Sequence, residues 1–169
     1  MSEVVREVLT HGAALCAAMT AVILGSLKHN PRIWSHATPA DVRAVLGPDD
    51  ERTRRQRRAW GVVMIGGMLA ILASLLVRLP AAVGGPPGFL LTAIAVYAWF
   101  QTFNHWDALV IDVGLVWLRP RFAFVPGTED LPGLRSVRWH VVNYLKGLLA
   151  GVPFALAGAV IAQLLPGYR

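Results

Sequence analysis

The chain is poor in charge and nearly free of cysteine. Only 15% of its 169 residues are Asp, Glu, Lys or Arg, where a soluble domain carries about 25%. The single cysteine, Cys16, excludes an intrachain disulfide, a CxxC redox pair and a thiolate metal cluster. No G-x-S-x-G, no phosphate-binding glycine loop and no H-E-x-x-H is present, so the signatures of esterase-type nucleophiles, nucleotide cradles and zinc peptidases are absent. Ser26, Ser74 and Ser136 have no evident base beside them. Internal repeats, low-complexity tracts and a second domain are likewise absent.

Apolar residues fill the space. They make up 55% of the chain and fall into four blocks, Val4–Leu27, Trp60–Leu79, Phe89–Leu118 and Val141–Leu165. Each is near or above the ~18 apolar residues that mark a membrane-helix candidate. The expected fold is therefore all-α, a single polytopic membrane domain of four transmembrane helices at about 4–28, 58–79, 88–118 and 138–165. The loops expected on the cytoplasmic side are 29–57 and 119–137. The first block is read as a retained helix: Glu3, Arg6 and Glu7 precede it and no A-x-A site follows.

The formal charge of +6 is best explained by topology. Cytoplasmic loops collect Lys and Arg. Lys28, Arg32, Arg43, Arg52, Arg54, Arg55, Arg57 and Arg58 lie between the first two blocks, and Arg119, Arg121, Arg135 and Arg138 between the last two. Both termini are expected outside, in a cytoplasmic (bacterial inner) membrane. "RTRRQRR" abuts a membrane helix, so Arg54, Arg55, Arg57 and Arg58 are expected to meet anionic lipid headgroups and not nucleic acid.

Local signals refine the first loop. Pro31 turns the chain after the first helix, and Trp34 is expected at headgroup depth. A short interfacial helix follows, with Thr38 as its cap, Pro39 in its first turn and Gly47-Pro48 as its stop. Val42, Val45 and Leu46 share its apolar face. A further helix begins near Pro48, with Asp49, Asp50 and Glu51 at its positive end, and runs into the second block. In the second loop "RFAFV" reads as a short extended piece and "PGTED" as a turn.

The third block raises the functional question, because it carries polar residues. At 100° per residue, with Gln101 at 0°, Asn104 falls at about 300°, His105 at about 40° and Asp112 at about 20°, with Asp107 flanking at about 240°. The fourth block repeats the arrangement with His140, Asn143, Tyr144 and a flanking Lys146. Asp112 lies ~10 Å inside Arg119 and Lys146 ~12 Å inside Arg138. An Asp112–Lys146 pair is the expected contact, since ionisable groups in membrane helices pair or face cavities. Lys28, Asn104, Asp107, Asp112, Asn143 and Lys146 form the expected polar cluster. A metal would have to be assembled between helices from His29, His105, Asp112 and His140, for example Asp112 with His140 or Asp107 with His29. His11 reads as an interhelix hydrogen-bonder. Gly61, Gly66, Gly67 and Ala70, and the stripe Gly147, Gly151, Ala155 and Ala159, offer close-packing faces.

"NPRIW", "TPADVRA", the Asn and Asp of the third block, "PGTED" and "LKG" together resemble uncharacterised bacterial four-helix integral membrane proteins. The resemblance implies a membrane location and no known activity. It marks Asn30, Pro31, Trp34, Asn104, Asp107, Asp112, Pro126, Gly127, Thr128, Glu129, Lys146 and Gly147 as its shared pattern, with Glu129 expected to fold back toward the basic helix ends. Two function classes follow. One is a non-enzymatic bundle, oligomeric or docked on a larger complex, whose polar cluster holds an ion or ligand. The other is a working site, either a metal-dependent oxidoreductase or a proton-coupled transporter using Asp107 and Asp112.

Overall fold

A computed structural model of the chain describes residues 2–118 and 125–168. The described residues form helices and turns, with no strand among them. In chain order they are α1 (Glu3–His29), α2 (Ala40–Leu46), α3 (Glu51–Val83), α4 (Phe89–Trp106) and α5 (Val137–Ala162). Short 3₁₀ turns occupy Pro31–Ala37 and Pro132–Arg135. α4 does not stop at Trp106: it continues as a π-helix from Asp107 to Trp117. The extended reading of "RFAFV" falls on 121–125, outside the described residues but for Val125.

α1, α3 and α5 are long and apolar enough to cross a membrane. Their apolar windows are 28%, 22% and 28% buried within the protein, so most of that surface faces outward. α1 packs against both α3 and α4, and α5 packs on α4. The two termini lie at one end and α2 with the 3₁₀ turns at the other. Leu15, Met19, Leu75, Leu79, Val96 and Trp99 form the centre of the core. Close packing of side chains holds such contacts together.

Small residues decide how α5 meets α4. A Cβ at Gly147 would overlap the Asn104 side chain, and one at Gly151 would overlap Gln101. Gly158 is less crowded: a Cβ there would come within 3.2 Å of Val96 Cγ1. The stripe on α5 is therefore consumed inside the chain and is no free oligomerisation face. On α3 the outcome differs: nothing lies within 4 Å of a Cβ built at Gly61 or Gly66.

α3 begins close to Pro48, as the further helix running into the second block is expected to, and continues past Leu79 to Val83. Asp50 caps it, accepting from the Thr53 N–H at 2.7 Å, and Pro80 lies inside its last turns. A proline has no N–H, so the Leu76 carbonyl four residues earlier loses its partner. The Tyr168 hydroxyl supplies one, donating to the Leu76 oxygen at 2.9 Å. Tyr168 is buried, and burial pushes its hydroxyl up to about 12. The tail after α5 thus repairs the break that Pro80 makes in α3. Gly84, at φ 79°, ends the helix in the left-handed region.

The 30–49 segment is a folded cap tied to α3. The Asn30 side chain accepts from the Arg32 N–H at 3.0 Å and donates to Thr53 Oγ1 at 3.1 Å and Gln56 Oε1 at 2.8 Å. Arg57 Nε donates to the Ile33 carbonyl at 2.6 Å, and Nη1 pairs with Asp49 Oδ2 at 2.6 Å. Ser35 Oγ donates to Asp49 Oδ1 at 2.9 Å. Arg57 is thus a structural clamp and not the lipid contact expected of it; Arg54 pairs with Glu51 at 2.8 Å, and Arg55 and Arg58 are exposed. Thr38 does not cap α2, because its hydroxyl bonds the Ser35 carbonyl. Val42 is buried, but Val45 on the same expected face is 59% exposed. Asp41 Oδ2 accepts from the Gly133 N–H at 2.7 Å, joining the two loops. Glu129 closes its own turn on the Gly127 N–H and does not reach back to the helix ends.

Two outcomes check this architecture. Tyr168→Phe is expected to cost about 1–3 kcal/mol by leaving the buried Leu76 carbonyl unpaired. The loss should shrink in a Pro80→Ala background, where a backbone N–H returns to that carbonyl; thermal unfolding in detergent reads both. The second concerns Asp49, whose carboxyl is held below the usual carboxylate range, first by the Arg57 hydrogen bond. Between the unfolded and folded values the unfolded state binds more protons, so this contribution is present above about pH 4 and is lost as pH falls through the lower folded value. Melting midpoints should fall with acid more steeply in the wild type than in Asp49→Asn.

Candidate functional site

Asp107 and Asp112 sit five residues apart. On an α-helix that spacing would separate them by about 140°, one inward and one on the flank. The π-helix changes this. Its i→i+5 bonding, seen where the Leu118 N–H meets the Val113 carbonyl at 3.0 Å, advances each residue by a smaller angle. Both carboxylates now line one cavity of about 300 Å³. π-helical turns are rare and concentrate at functional sites.

The cavity is walled mostly by apolar groups. Ile23 and Leu27 come from α1, Met64 from α3, Phe103 from α4 and Leu134 from the second loop. Trp34 and Trp139 complete it. Trp34 is not free at a surface: its Nε1 donates to Ser26 Oγ at 2.7 Å, and Ser26 donates to the Ile23 carbonyl at 2.8 Å. The 3₁₀ turn that follows Asn30 is what places this indole in the lining of the same cavity.

His140 stands beside Asp112. Its Nδ1 lies 3.2 Å from Asp112 Oδ2, an ion-pair distance without the alignment of a hydrogen bond. Its Nε2 is 2.9 Å from the Leu134 carbonyl. A carbonyl only accepts, so Nε2 carries a hydrogen, and Nδ1 is protonated only in the imidazolium. The imidazole thus presents Nδ1 to the Asp112 carboxylate while the Leu134 carbonyl fixes its other nitrogen. The ring is held between two indoles, stacked on Trp117 at 6.2 Å and edge-on to Trp139 at 4.8 Å.

The expected Asp112–Lys146 pair does not form. Gln101 opposite Gly151, Asn104 opposite Gly147 and Asp112 opposite His140 keep one antiparallel register. That register sets Lys146 level with Trp106, about a turn and a half from Asp112. Levelling the helices at Arg119 and Arg138 misplaced it. Lys146 is exposed, as is Lys28, and Asn143 has no side-chain partner among the described residues. The expected polar cluster thus divides. Asn104 bonds Gln101 Oε1 at 2.9 Å within the α4–α5 contact, while Asp107 and Asp112 face the cavity.

The metal candidates divide too. His29 accepts from Gln56 Nε2 at 2.7 Å and is not among the residues that line the cavity with Asp107. His105 donates to the Gln101 carbonyl at 2.6 Å and meets the Tyr144 hydroxyl at 3.0 Å. Asp112 and His140 meet, but among the described residues no group of three His, Cys, Asp or Glu is placed to hold a metal ion.

A contact that sequence separation concealed lies near the termini. Ser74 Oγ is 3.1 Å from His11 Nε2, so Ser74 does have a base beside it. His11 Nδ1 donates to the Glu7 carbonyl at 2.9 Å, which leaves Nε2 to accept from Ser74. Ser74 lies inside α3, where backbone N–H groups are spent on the helix, so no oxyanion hole is formed from them. The bond ties α1 to α3.

No family model, no curated protein and no solved structure matches the chain.

The pairing of Asp112 is open to a double-mutant cycle. Asp112→Asn with His140→Gln should show a coupling of about 0.5–3 kcal/mol in unfolding, and Asp112→Asn with Lys146→Gln close to none.

Proposed function

We propose that the chain is an integral protein of a cytoplasmic membrane, with α4 and its π-helical continuation as the fourth span and both termini outside. It is a non-enzymatic bundle that holds a small cationic ligand between Asp107 and Asp112. One observation carries this reading: a turn of unusual pitch brings two carboxylates to the same apolar-walled cavity. A concave, mostly apolar site with a few convergent polar groups is the usual form of a small-ligand pocket. Two carboxylates select positive charge, and the faces of Trp34 and Trp139 suit a cation with an apolar body. A protonated alkylamine fits that description.

The lysines and arginines at the loop end support the orientation by the charge rule. The "NPRIW" and "PGTED" resemblance points to the same class of protein. The open α3 face at Gly61 and Gly66 supports self-association, which the mass of the purified particle by light scattering decides. A second reading rests on the contact of His140 with Asp112 at the cavity: the cavity passes a cation or proton across the membrane in exchange. A metal-dependent oxidoreductase is not carried forward, since among the described residues only Asp112 and His140 of the four candidate ligands meet and no third ligand joins them.

Octylammonium is the probe. In calorimetric titration of detergent-purified protein it should bind saturably, and Asp107→Asn and Asp112→Asn should each weaken it tenfold or more, about 1.4 kcal/mol. Lys28→Gln should leave it unchanged. Absence of saturable binding to folded wild type would refute the reading. Flux in vesicles that Asp112→Asn abolishes with the fold intact would move transport to the front.

A further inference from the structure

At the end of the molecule opposite the Asp107–Asp112 cavity, α1 and α3 border an open groove of about 630 Å³. Arg6 and Arg78 line it, with Thr10, His11 and Ser74, and Glu7 contributes the one carboxylate among its lining residues. Arg78 needs a partner. It lies within α3, close to the end of a membrane-crossing helix, and it is exposed. Among the described residues no carboxylate reaches ion-pair distance of it. An arginine at membrane depth pairs with an anion or reaches for the headgroups.

The other charges leave room for that anion. Glu7 turns its carboxylate toward His11, 3.5 Å from Nδ1 and 4.0 Å from Arg6 Nη2. Arg6 is tethered by Glu3 through Nη2, so its position is set while its other N–H groups remain. Ser74 spends its hydrogen on His11. Glu3 and Glu7 both lie on the Arg6 side, so the charge left without a carboxylate partner at this site is Arg78.

We propose that this groove binds a phosphate group, held by Arg6 and Arg78, and that the phosphate belongs to an anionic phospholipid of the leaflet on the terminus side. A planar guanidinium makes paired hydrogen bonds to phosphate oxygens, and two from neighbouring helices bracket one headgroup. The acyl chains then lie along the apolar surface that α1 and α3 turn outward. Free phosphate offers the same oxygens without the chains.

Native mass spectrometry of the intact protein released from detergent tests this with phosphatidylglycerol, with diacylglycerol as the phosphate-free control. Wild type should retain phosphatidylglycerol well above diacylglycerol. Arg78→Gln and Arg6→Gln should each lower its occupancy about tenfold, and Arg78→Lys less, because a point charge keeps part of the attraction. Arg55→Gln, at the other end, should match wild type. Inorganic phosphate that displaces the lipid would identify the phosphate group alone as sufficient; lipid retained against it would assign the site to the phospholipid. Equal retention of phosphatidylglycerol and diacylglycerol, or wild-type occupancy in an Arg78→Gln protein of unchanged melting temperature, would overturn the proposal.

Discussion

The close contact between α4 and α5 at Gly147 and Gly151 sets the register on which the cavity depends. With no side chain at either glycine, Asn104 and Gln101 approach the α5 backbone directly. Gln101 Nε2 and Asn104 Nδ2 then reach the Gly147 and Tyr144 carbonyls at 3.4 Å. Everything further toward the loops follows from that alignment. His140 comes level with Asp112, and Leu134 comes under the imidazole to take its Nε2 hydrogen. The close packing and the polar contacts reinforce each other, as they do where small residues bring membrane helices together.

Register alone would leave Asp107 pointing away. The change of pitch after Trp106 turns it in, so that two carboxylates five residues apart share one space. The rest of the cavity is supplied by elements that look like loops in the sequence. Asn30 and Arg57 fasten the 3₁₀ turn to α3, and that turn carries Trp34 into the cavity lining. Asp41 fastens α2 to Gly133, which places Leu134. The polar residues of the loop end therefore act largely on one another, and through those bonds they hold apolar walls around Asp107 and Asp112.

The sequence made the helices legible because blocks of twenty or so apolar residues have few other uses. It also marked a set of polar residues that the fold divides, with Lys28 and Lys146 left exposed. Asn104, Asp107, Asp112 and His140 all stand in or beside the contact that matters. Their geometry was less accessible. A fixed 100° per residue cannot anticipate a π-helix, so Asp107 was assigned to the wrong side. Helix ends marked by arginines are a poor ruler for register, hence the false Asp112–Lys146 pairing. Composition could not distinguish Arg57, with four oxygen partners, from its exposed neighbours Arg55 and Arg58. Contacts made across the fold, Ser74 with His11 and Tyr168 with Leu76, leave no local trace in the sequence. A small-residue stripe shows that a helix is closely packed without naming its partner, and for Gly147 and Gly151 the partner is α4 of the same chain.

The central claim is that Asp107 and Asp112 face one cavity because the helix widens between them. An experimental density map of the protein in lipid, resolving backbone carbonyls over residues 104–118, tests it most directly. The account expects i→i+5 bonding from Asp107 to Trp117 and both carboxylates turned toward Trp34 and Trp139. Uninterrupted i→i+4 bonding, with the Asp107 side chain about 140° away from Asp112, would contradict it.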